Sequence, residues 1–596
     1  MLARTDSRAR ALVLLICATL VAGGIAARLV WWQVIEQPRL GGLALQQLAQ
    51  VEKIPAQRGE IRDANGDLLA TSVQVQSVFV TPPTVKDAES SAALLASVLD
   101  MPIEVVRAKL TSHSQWLWIK RRIDDQMAER VRALALPGVG MLAEPQRSYP
   151  VVGVAAGTTI AAQVLGYVDA NGSGRYGVEQ SEDALLAGQP GLVDAQQDVT
   201  GRRIADSVAQ LRPPVNGANL TLTIDAGVQH LLEATMLETF KRNRAEGVTG
   251  LVMNVKTGAI VAMASFPSFD ANRYANTDPQ RFSNPAVSRQ YEPGSVMKAF
   301  TVSAALDAGA VSTTQTFVDN NNLQVGGVRI QNADRYWFPW GHGPITAAQV
   351  LQLSNNVGAA KIGLTLGGDR LYEAFRRFGF GSPTGIELAG EAAGQVWDPR
   401  SPDASGNLTT AQNSFGQGIS VTAVQLAAGY AAIANGGTMV TPHVIAGWSM
   451  PDGSYHRNDL KAGERIMREQ TARTVLGLLT DSVDKGIAKG GSLAGYSVAG
   501  KTGTAEIAGP VQVRGADGKL TTVYRYIPRW IDSSFIGVTP AGDPQLVTLI
   551  LIHKPAVWGL YQMAERPEAV FRTFAPQMLD YLAIPPDRPT GPVASR

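Results

Sequence analysis

Ser295 and Lys298 lie three residues apart in YEPGSVMKAFTVSAALDAG (residues 291–309), a pairing suited to nucleophilic catalysis. Pro293 and Gly294 deliver the serine to the start of an apolar helix. On a helix the residue three positions on shares the same face, so the Lys298 amine can reach the Ser295 hydroxyl and take its proton. The helix N-terminus adds free N–H groups and partial positive charge where negative charge develops during acyl transfer. A lysine in so apolar a helix is costly without a task or a partner. The spacing alone is weak evidence, because Ser482 and Lys485 repeat it late in an amphipathic helix expected over 471–485, where a solvated face explains them.

Two further polar clusters stand out. Ser354-Asn355-Asn356, in VLQLSNNVGAAKIG, breaks an apolar helical pattern and serves either to cap and join two helices or to do chemistry. Ser405-Gly406-Asn407 has a similar composition, but it lies in a Pro- and Gly-rich stretch and reads as a turn. In SVAGKTGTAEIA, strand periodicity puts Thr502 and Thr504 on one face beyond Lys501, and Gly503 between them lets a substrate backbone approach closely. The bare pattern GYSVAGKT also satisfies a phosphate-binding loop. That reading requires an apolar strand before the glycines and a helix after Lys501, and a strand is expected there instead.

These clusters need elements to position them, and a chain of 596 residues is long enough for several folded units. Its 45% hydrophobic and 17% charged residues are those of a globular protein, and a net charge of +2 argues against nucleic acid as a partner. The single cysteine, Cys17, excludes an intrachain disulfide and a Cys-rich zinc site, and the six histidines show no ligand spacing, so no metal or cofactor is expected.

Residues 11–27 are uncharged and largely apolar, and 29–32 extend the run past Arg28, which can snorkel to an interface. A membrane anchor over 11–35 follows a short tail, 1–10, whose Arg4, Arg8 and Arg10 keep it cytoplasmic and send the rest outside. A cleaved signal peptide and a lipoprotein signal at Cys17 are the alternatives; bulky Ile16 argues against the second, and continuation into Trp31-Trp32 favours an uncleaved anchor.

Residues 40–216 read as a mixed α/β spacer or docking domain without chemistry. GEIRDANGDLLATS (59–72) suggests two strands around an Asn65-Gly66 turn, and DQMAERVRALAL (125–136) a helix. Pro213-Pro214 and Asn216-Gly217 mark a boundary to a second domain, 217–583. There the patterns predict a helix near 227–243, a hairpin turning at Lys256-Thr257-Gly258, mainly helices to 434, strands over 496–506, 533–538 and 545–552, and a helix near 567–582. The Pro-rich 584–596 are expected to be disordered.

In this order, the clusters at Ser295 and Lys298, Ser354 and Asn356, and Lys501, Thr502, Gly503 and Thr504 resemble the active-site signature of penicillin-binding proteins and serine β-lactamases. RGEIRDANGDLLA (58–70), RSYP (147–150), Gly177-Val178-Glu179, FGFGSPTGIEL (378–388) and FGQGISVTAVQ (415–425) look like class B penicillin-binding proteins, the membrane-anchored peptidoglycan D,D-transpeptidases. The resemblance implies an α/β (α+β) fold: a pedestal of dimerisation type, then a transpeptidase domain with an antiparallel sheet flanked by helices and an all-helical subregion.

It also implies roles. Ser295 attacks the penultimate D-Ala carbonyl of a stem pentapeptide with Lys298 as base. Ser354 relays the proton, Asn356 orders Lys298 and the substrate amide, Lys501, Thr502 and Thr504 hold the terminal carboxylate, and the N–H groups of Ser295 and Thr504 form the oxyanion hole. The implied partners are stem peptides, β-lactams and a membrane-embedded glycan polymerase of the shape, elongation, division and sporulation family. A D,D-carboxypeptidase or β-lactamase-like hydrolase and a non-catalytic β-lactam sensor or scaffold are the alternatives. FGFGSPTGIEL and SNNVGAAKIG look division-type, whereas FPWGHG (338–343) looks elongation-type.

Overall fold

The uncharged N-terminal run forms the helix Ser7–Val30, which continues as a π-turn, Trp31–Ile35. Its 25-residue stretch Arg10–Val34 has a mean hydropathy of 2.2 and no buried share, length and apolarity enough to cross a bilayer. Among the described residues it alone meets that test, and it fits a single-pass membrane anchor. The Arg28 guanidinium sits 5.4 Å from the Trp32 ring centre, as a snorkelling cation beside an interfacial aromatic would. The protein is seen here as a computed structural model describing residues 7–36, 49–196, 209–402, 404–514, 520–557 and 562–589. Most of the expected cytoplasmic tail, residues 1–6, lies outside them.

The chain divides into two units, Met1–Gln57 with Gly188–Gly217, and Arg58–Ala187 with Ala218–Arg596. The first contains, besides the helix, an antiparallel sheet in the order Ala49–Ile54, Gly191–Gln196, Ala209–Arg212. A unit boundary falls at 217/218, one residue from the expected 216/217, but the second unit also takes in Arg58–Ala187. The reason is a long-range pairing: Ile61–Arg62 runs parallel to Asn219–Leu222, which pairs in turn with Ile445–Ser449. Residues from both sides of the sequence boundary thus share one seven-stranded sheet. Its long strand Leu68–Val80 carries Leu117–Ile123 and Val139–Ser148, and the Asn65-Gly66 turn is made as expected, with Gly66 at φ +90°.

RGEIRD, RSYP and Gly177-Val178-Glu179 converge on one buried ion cluster. The Glu179 carboxylate, with 0% exposure, accepts from Arg58 Nε at 2.8 Å, Arg147 Nε at 2.6 Å and Tyr149 Oη at 3.2 Å, and Arg58 also holds Asp183 at 2.7 Å. Both charges of each pair are compensated, which is the condition for burying them.

The second sheet is antiparallel, in the order Ile260–Phe266, Gly247–Asn254, Leu546–His553, Leu520–Thr539, Ala499–Arg514. Its middle strand, LVTLILIH, is buried through Ile552, because helices cover both faces. Ala226–Asn243 and Pro567–Tyr581 pack Leu232, Met236, Phe571 and Phe574 against Val252 and Ile550 on one side. On the other, Phe300, Tyr430 and Leu479, from the helices Lys298–Asp307, Ala423–Ala434 and Glu469–Asp484, meet Leu251 and Leu549.

Two expectations are corrected. The subregion after the serine helix is not all-helical: Thr316–Asp319 pairs with Gly343–Thr346, and Leu323–Val325 with Val328–Ile330. Residues 312–346 are rich in Asn, Asp, Thr and Gly, poor helix formers, and Gly326-Gly327 with φ of +56° and +78° makes a hairpin turn. The Pro-rich end is not free through Pro589 either. Ser497 N donates to Asp587 at 2.7 Å, and Arg588 pairs with Asp484 at 2.9 Å, so side-chain anchors outweigh composition. Residues 590–596 lie outside the described residues.

Candidate active site

Gly294, at φ +60°, turns the chain into a 3-10 segment, Gly294–Met297, before the α-helix Lys298–Asp307 begins. The helix therefore starts three residues later than expected. In a 3-10 turn residues i and i+3 eclipse, which aligns Ser295 with Lys298 more directly than an α-helix does. Lys298 Nζ lies 2.8 Å from Ser295 Oγ. The turn is fixed from behind by Tyr430, on the covering helix Ala423–Ala434, whose hydroxyl donates to Val296 O at 2.9 Å.

Lys298 is fully buried, with 0% exposure. Its amine lies 2.5 Å from Ser354 O, 2.7 Å from Asn356 Oδ1 and 3.3 Å from Ser354 Oγ. Ser354 is at φ +56°, a left-handed conformation that is uncommon outside glycine and that turns its carbonyl towards the amine. Asn356 Nδ2 donates to Gln331 O at 2.9 Å, which fixes the amide with its oxygen facing Lys298. The break SNN thus both joins helices and meets Lys298. Asn355 caps Asn356–Leu366, its Oδ1 accepting from Gly358 N at 2.7 Å.

Lys501 approaches from the edge strand Ala499–Arg514 and donates to Ser354 Oγ at 2.7 Å and to Thr502 O at 3.1 Å. It too has 0% exposure. Along the strand Lys501 and Gly503 are buried, Thr502 half-buried and Thr504 exposed, the alternation expected of the two threonines. A Cβ on Gly503 would stand 2.5 Å from Ser534 Oγ and 2.9 Å from Pro293 O, so the glycine lets the strand close on the serine turn. Gly500, Lys501 and Thr502 sit inside this strand with no helix after them, which rules out the phosphate-binding loop.

Burial, and secondarily the charge of Lys501, pushes the Lys298 amine well below the usual lysine range, against a smaller pull from Asp334. Burial likewise lowers Lys501 to about 7, opposed by Glu568. The decoys behave as decoys. Lys485 pairs with Asp481 at 2.8 Å and not with Ser482, which is buried rather than solvated, and Ser405-Gly406-Asn407 leads into the short helix Asn407–Asn413.

A polar network behind Asn356 escapes sequence reasoning. The buried Asp319 carboxylate accepts from Asn332 Nδ2 at 2.9 Å, Asn355 Nδ2 at 2.6 Å and His342 N at 2.9 Å. Burial works to raise the Asp319 pKa, but these bonds and that from Asn321 N hold it below the usual carboxylate range. Asn332 Oδ1 in turn accepts from Asn356 N at 2.9 Å and Val357 N at 3.1 Å, satisfying two otherwise free N–H groups of the first helical turn. The available signal was a run of polar residues, VDNNN and QNAD, between apolar segments.

Residues 248–575 match the penicillin binding protein transpeptidase domain, and residues 53–222 the penicillin-binding protein dimerisation domain. The chain is 32% identical to stage V sporulation protein D of Bacillus subtilis, covering 92% of this chain and 82% of that one. It is 29% identical to peptidoglycan D,D-transpeptidase FtsI of Escherichia coli K12, covering 96% and 91%. Among solved structures it is similar to penicillin binding protein 3 of Mycobacterium tuberculosis complexed with aztreonam (TM-score 0.66, 26% identity, 90% and 99% covered). A peptidoglycan synthetase of Bifidobacterium adolescentis is likewise similar (TM-score 0.68, 27% identity, 91% and 98% covered).

Proposed function

Because the chain belongs to the penicillin-binding protein transpeptidase family, we propose that it is a peptidoglycan D,D-transpeptidase, acylated on Ser295 by stem peptides and by β-lactams. The observation that carries the reading is the set of neighbours around Lys298 Nζ. Ser354 O and Asn356 Oδ1 can only accept, at 2.5 and 2.7 Å, and so take the two N–H bonds of a neutral amine. Its lone pair is left for the Ser295 hydroxyl at 2.8 Å, and the lowered pKa favours that neutral form.

Ser295 Oγ then bonds to the penultimate D-Ala carbonyl carbon while its proton passes to Lys298. The N–H groups of Ser295 and Thr504 take the oxyanion. The proximity of the two segments supports this assignment: a Cβ on Gly294 would lie 2.8 Å from Thr504 O. As the C–N bond breaks, the departing D-Ala amine receives the proton from Lys298 through Ser354 Oγ. Lys501 with the Thr502 and Thr504 hydroxyls holds the terminal carboxylate, and Asn356 keeps Lys298 and the substrate amide in register. An acceptor amine then attacks the ester, gives up its proton along the same route and returns Ser295 to its hydroxyl form.

Residues 40–216 act as a pedestal of dimerisation type and 217–583 as the transpeptidase region. The basic residues before the apolar helix favour a cytoplasmic N-terminus and a catalytic region outside. A membrane-embedded glycan polymerase is the expected partner. The test is labelling of the full chain by a fluorescent penicillin. Covalent label on Ser295 by mass spectrometry, lost in Ser295→Ala, supports the reading. No label, or label that survives the substitution, overturns it. Cross-linked product from a donor pentapeptide and an acceptor amine separates transpeptidation from D-Ala release alone.

A further inference from the structure

We propose that the aromatic loop 335–340 is a binding surface for the sugar rings of the glycan strand that carries the stem peptide. The inference rests on the transpeptidase reading and extends it from the peptide to the saccharide. In RYWFPW, four aromatic side chains within six residues are exposed: Tyr336 63%, Trp337 72%, Phe338 47% and Trp340 87%. Leaving so much aromatic surface in water is costly, so a contiguous exposed patch marks a contact site.

The loop is not loosely tethered. Trp337 N and Phe338 N donate to Asp334 O at 2.9 and 3.0 Å, and Gly341 N donates to Phe338 O at 3.0 Å. Asn321 Nδ2 reaches Phe338 O and Pro339 O, both at 3.3 Å, and His342 Nε2 holds Asp334 at 2.8 Å while its ring packs 4.3 Å from Phe338. Asn321, Asn332 and His342 all belong to the buried network on Asp319, whose Asn332 fixes Asn356, and Asn356 fixes Lys298. A continuous set of hydrogen bonds therefore joins the base of the aromatic loop to the reacting groups, and Gln331 O, four residues before the loop, accepts from Asn356 Nδ2 at 2.9 Å.

The chemistry of the patch selects the occupant. Residues 335–342 contain no Leu, Ile, Val or Met. An aliphatic protein groove has no special match to flat rings, whereas a pyranose presents one face of axial C–H groups that stacks on an aromatic ring. Tyrosine hydroxyl and indole N–H at the ring edges can bond sugar hydroxyl and acetamido groups. The Arg335 guanidinium, 4.9 Å from the Tyr336 ring centre, stiffens that end. The stem peptide enters the cleft covalently attached to such a strand, so a stacked sugar lowers the freedom the peptide must lose on binding.

The experiment compares the full chain with Trp337→Ala/Trp340→Ala and with Trp340→Phe. Three substrates are used: fluorescent penicillin, a sugar-free donor pentapeptide, and a short glycan oligomer bearing the same pentapeptide. The double variant is expected to keep penicillin labelling and sugar-free turnover within twofold and to raise KM for the glycan-bearing substrate at least tenfold with kcat little changed, whereas Trp340→Phe, which keeps an aromatic at 340, should raise that KM much less. Peptide-free glycan oligomers should perturb the tryptophan fluorescence of the wild type and not of the double variant. Equal loss on sugar-free and glycan-bearing substrates, or fluorescence that responds to phospholipid vesicles and not to glycan, overturns the proposal. Absence of penicillin label in the wild type instead overturns the transpeptidase reading, while the peptide-free glycan measurement still judges the surface by itself.

Discussion

Lys298 and Lys501 reach one hydroxyl from two sides, with Nζ to Ser354 Oγ distances of 3.3 and 2.7 Å. Two buried amines so placed cannot both carry a proton cheaply, and the one that is also surrounded by obligate acceptors is the one suited to act as base. The hydroxyl between them accepts from Lys501, and from Lys298 once that amine has taken the Ser295 proton, which leaves its own hydrogen to pass to the leaving amine, as a relay requires.

This division of charge predicts a bell-shaped pH dependence for the second-order rate of β-lactam acylation. The rate rises with pH as Lys298 loses its proton, at a pH well below the ordinary lysine range. It falls as Lys501, needed as a cation for the carboxylate, deprotonates from about 7 upward. Lys501→Arg keeps the cation and should remove the falling limb, and Lys298→Met should cost about 10²–10⁴-fold at every pH. The linked stability has a definite sign. A folded lysine at about 7 binds fewer protons than the unfolded one at 10.5, so stability increases with pH across that window, and Lys501→Met should flatten the rise in Tm between pH 7 and 10. A falling limb unchanged in Lys501→Arg would assign it to another group.

Asn332→Ala tests the support behind the SNN break. It strips the acceptor from Asn356 N and Val357 N and a donor from the Asp319 carboxylate, leaving buried groups unpaired at about 1–3 kcal/mol. Acylation should fall at least tenfold through misplacement of Asn356 and hence of Lys298, with its acid limb moved, whereas Asn322→Ala on the exposed side of the same loop should leave both unchanged. The acid limb of the pH profile is the readout, because loss of stability alone would not shift it.

Legibility along the chain follows the range of the interactions. Ser295 and Lys298 could be read because i and i+3 are local, and the turn at Lys256-Thr257-Gly258 because its glycine adopts a left-handed φ of +80° within a few residues of both strands. Lys501 and Ser354 are 147 residues apart, so their contact could be named only through a known signature and not from spacing. Asp319, Asn332 and Asn355 sit 13 and 36 residues apart in stretches whose composition reads equally as solvated loop. The parallel pairing of Ile61 with Leu220, which brings Arg58–Ala187 into the same unit as the residues after 217, leaves no periodic trace at all.

Gly294→Ala should disable the site while leaving the fold. At φ +60° an alanine costs about 1–2 kcal/mol, and its Cβ would lie 2.8 Å from Thr504 O, a backbone atom that cannot swing aside. The serine turn and the threonine strand must then separate by a fraction of an ångström or more, and displacement on that scale costs on the order of 10²-fold in rate. The check is acylation rate against Tm: a large fall in the first with a shift of a few degrees in the second is expected, and a normal acylation rate would show that the two segments need not touch.

Glu179→Ala should do the reverse. The substitution leaves the buried guanidinium groups of Arg58 and Arg147 facing each other without the carboxylate that receives both, and breaking a buried ion pair in this way costs about 3–5 kcal/mol. Arg58 retains Asp183 at 2.7 Å, which limits the loss on its side, whereas Arg147 retains only neutral acceptors, Gly59 O at 2.7 Å and Ser72 Oγ at 3.5 Å. The unfolding midpoint of the full chain should drop sharply, and Glu179→Gln, which keeps an acceptor of the same shape, should drop it less. The folded fraction should still acylate Ser295 within about twofold, since transition-state contacts are untouched. An acylation rate that falls in step with the midpoint in both variants would mean that this cluster, built from RGEIRD, RSYP and Gly177-Val178-Glu179, positions the catalytic groups as well as holding its sheet.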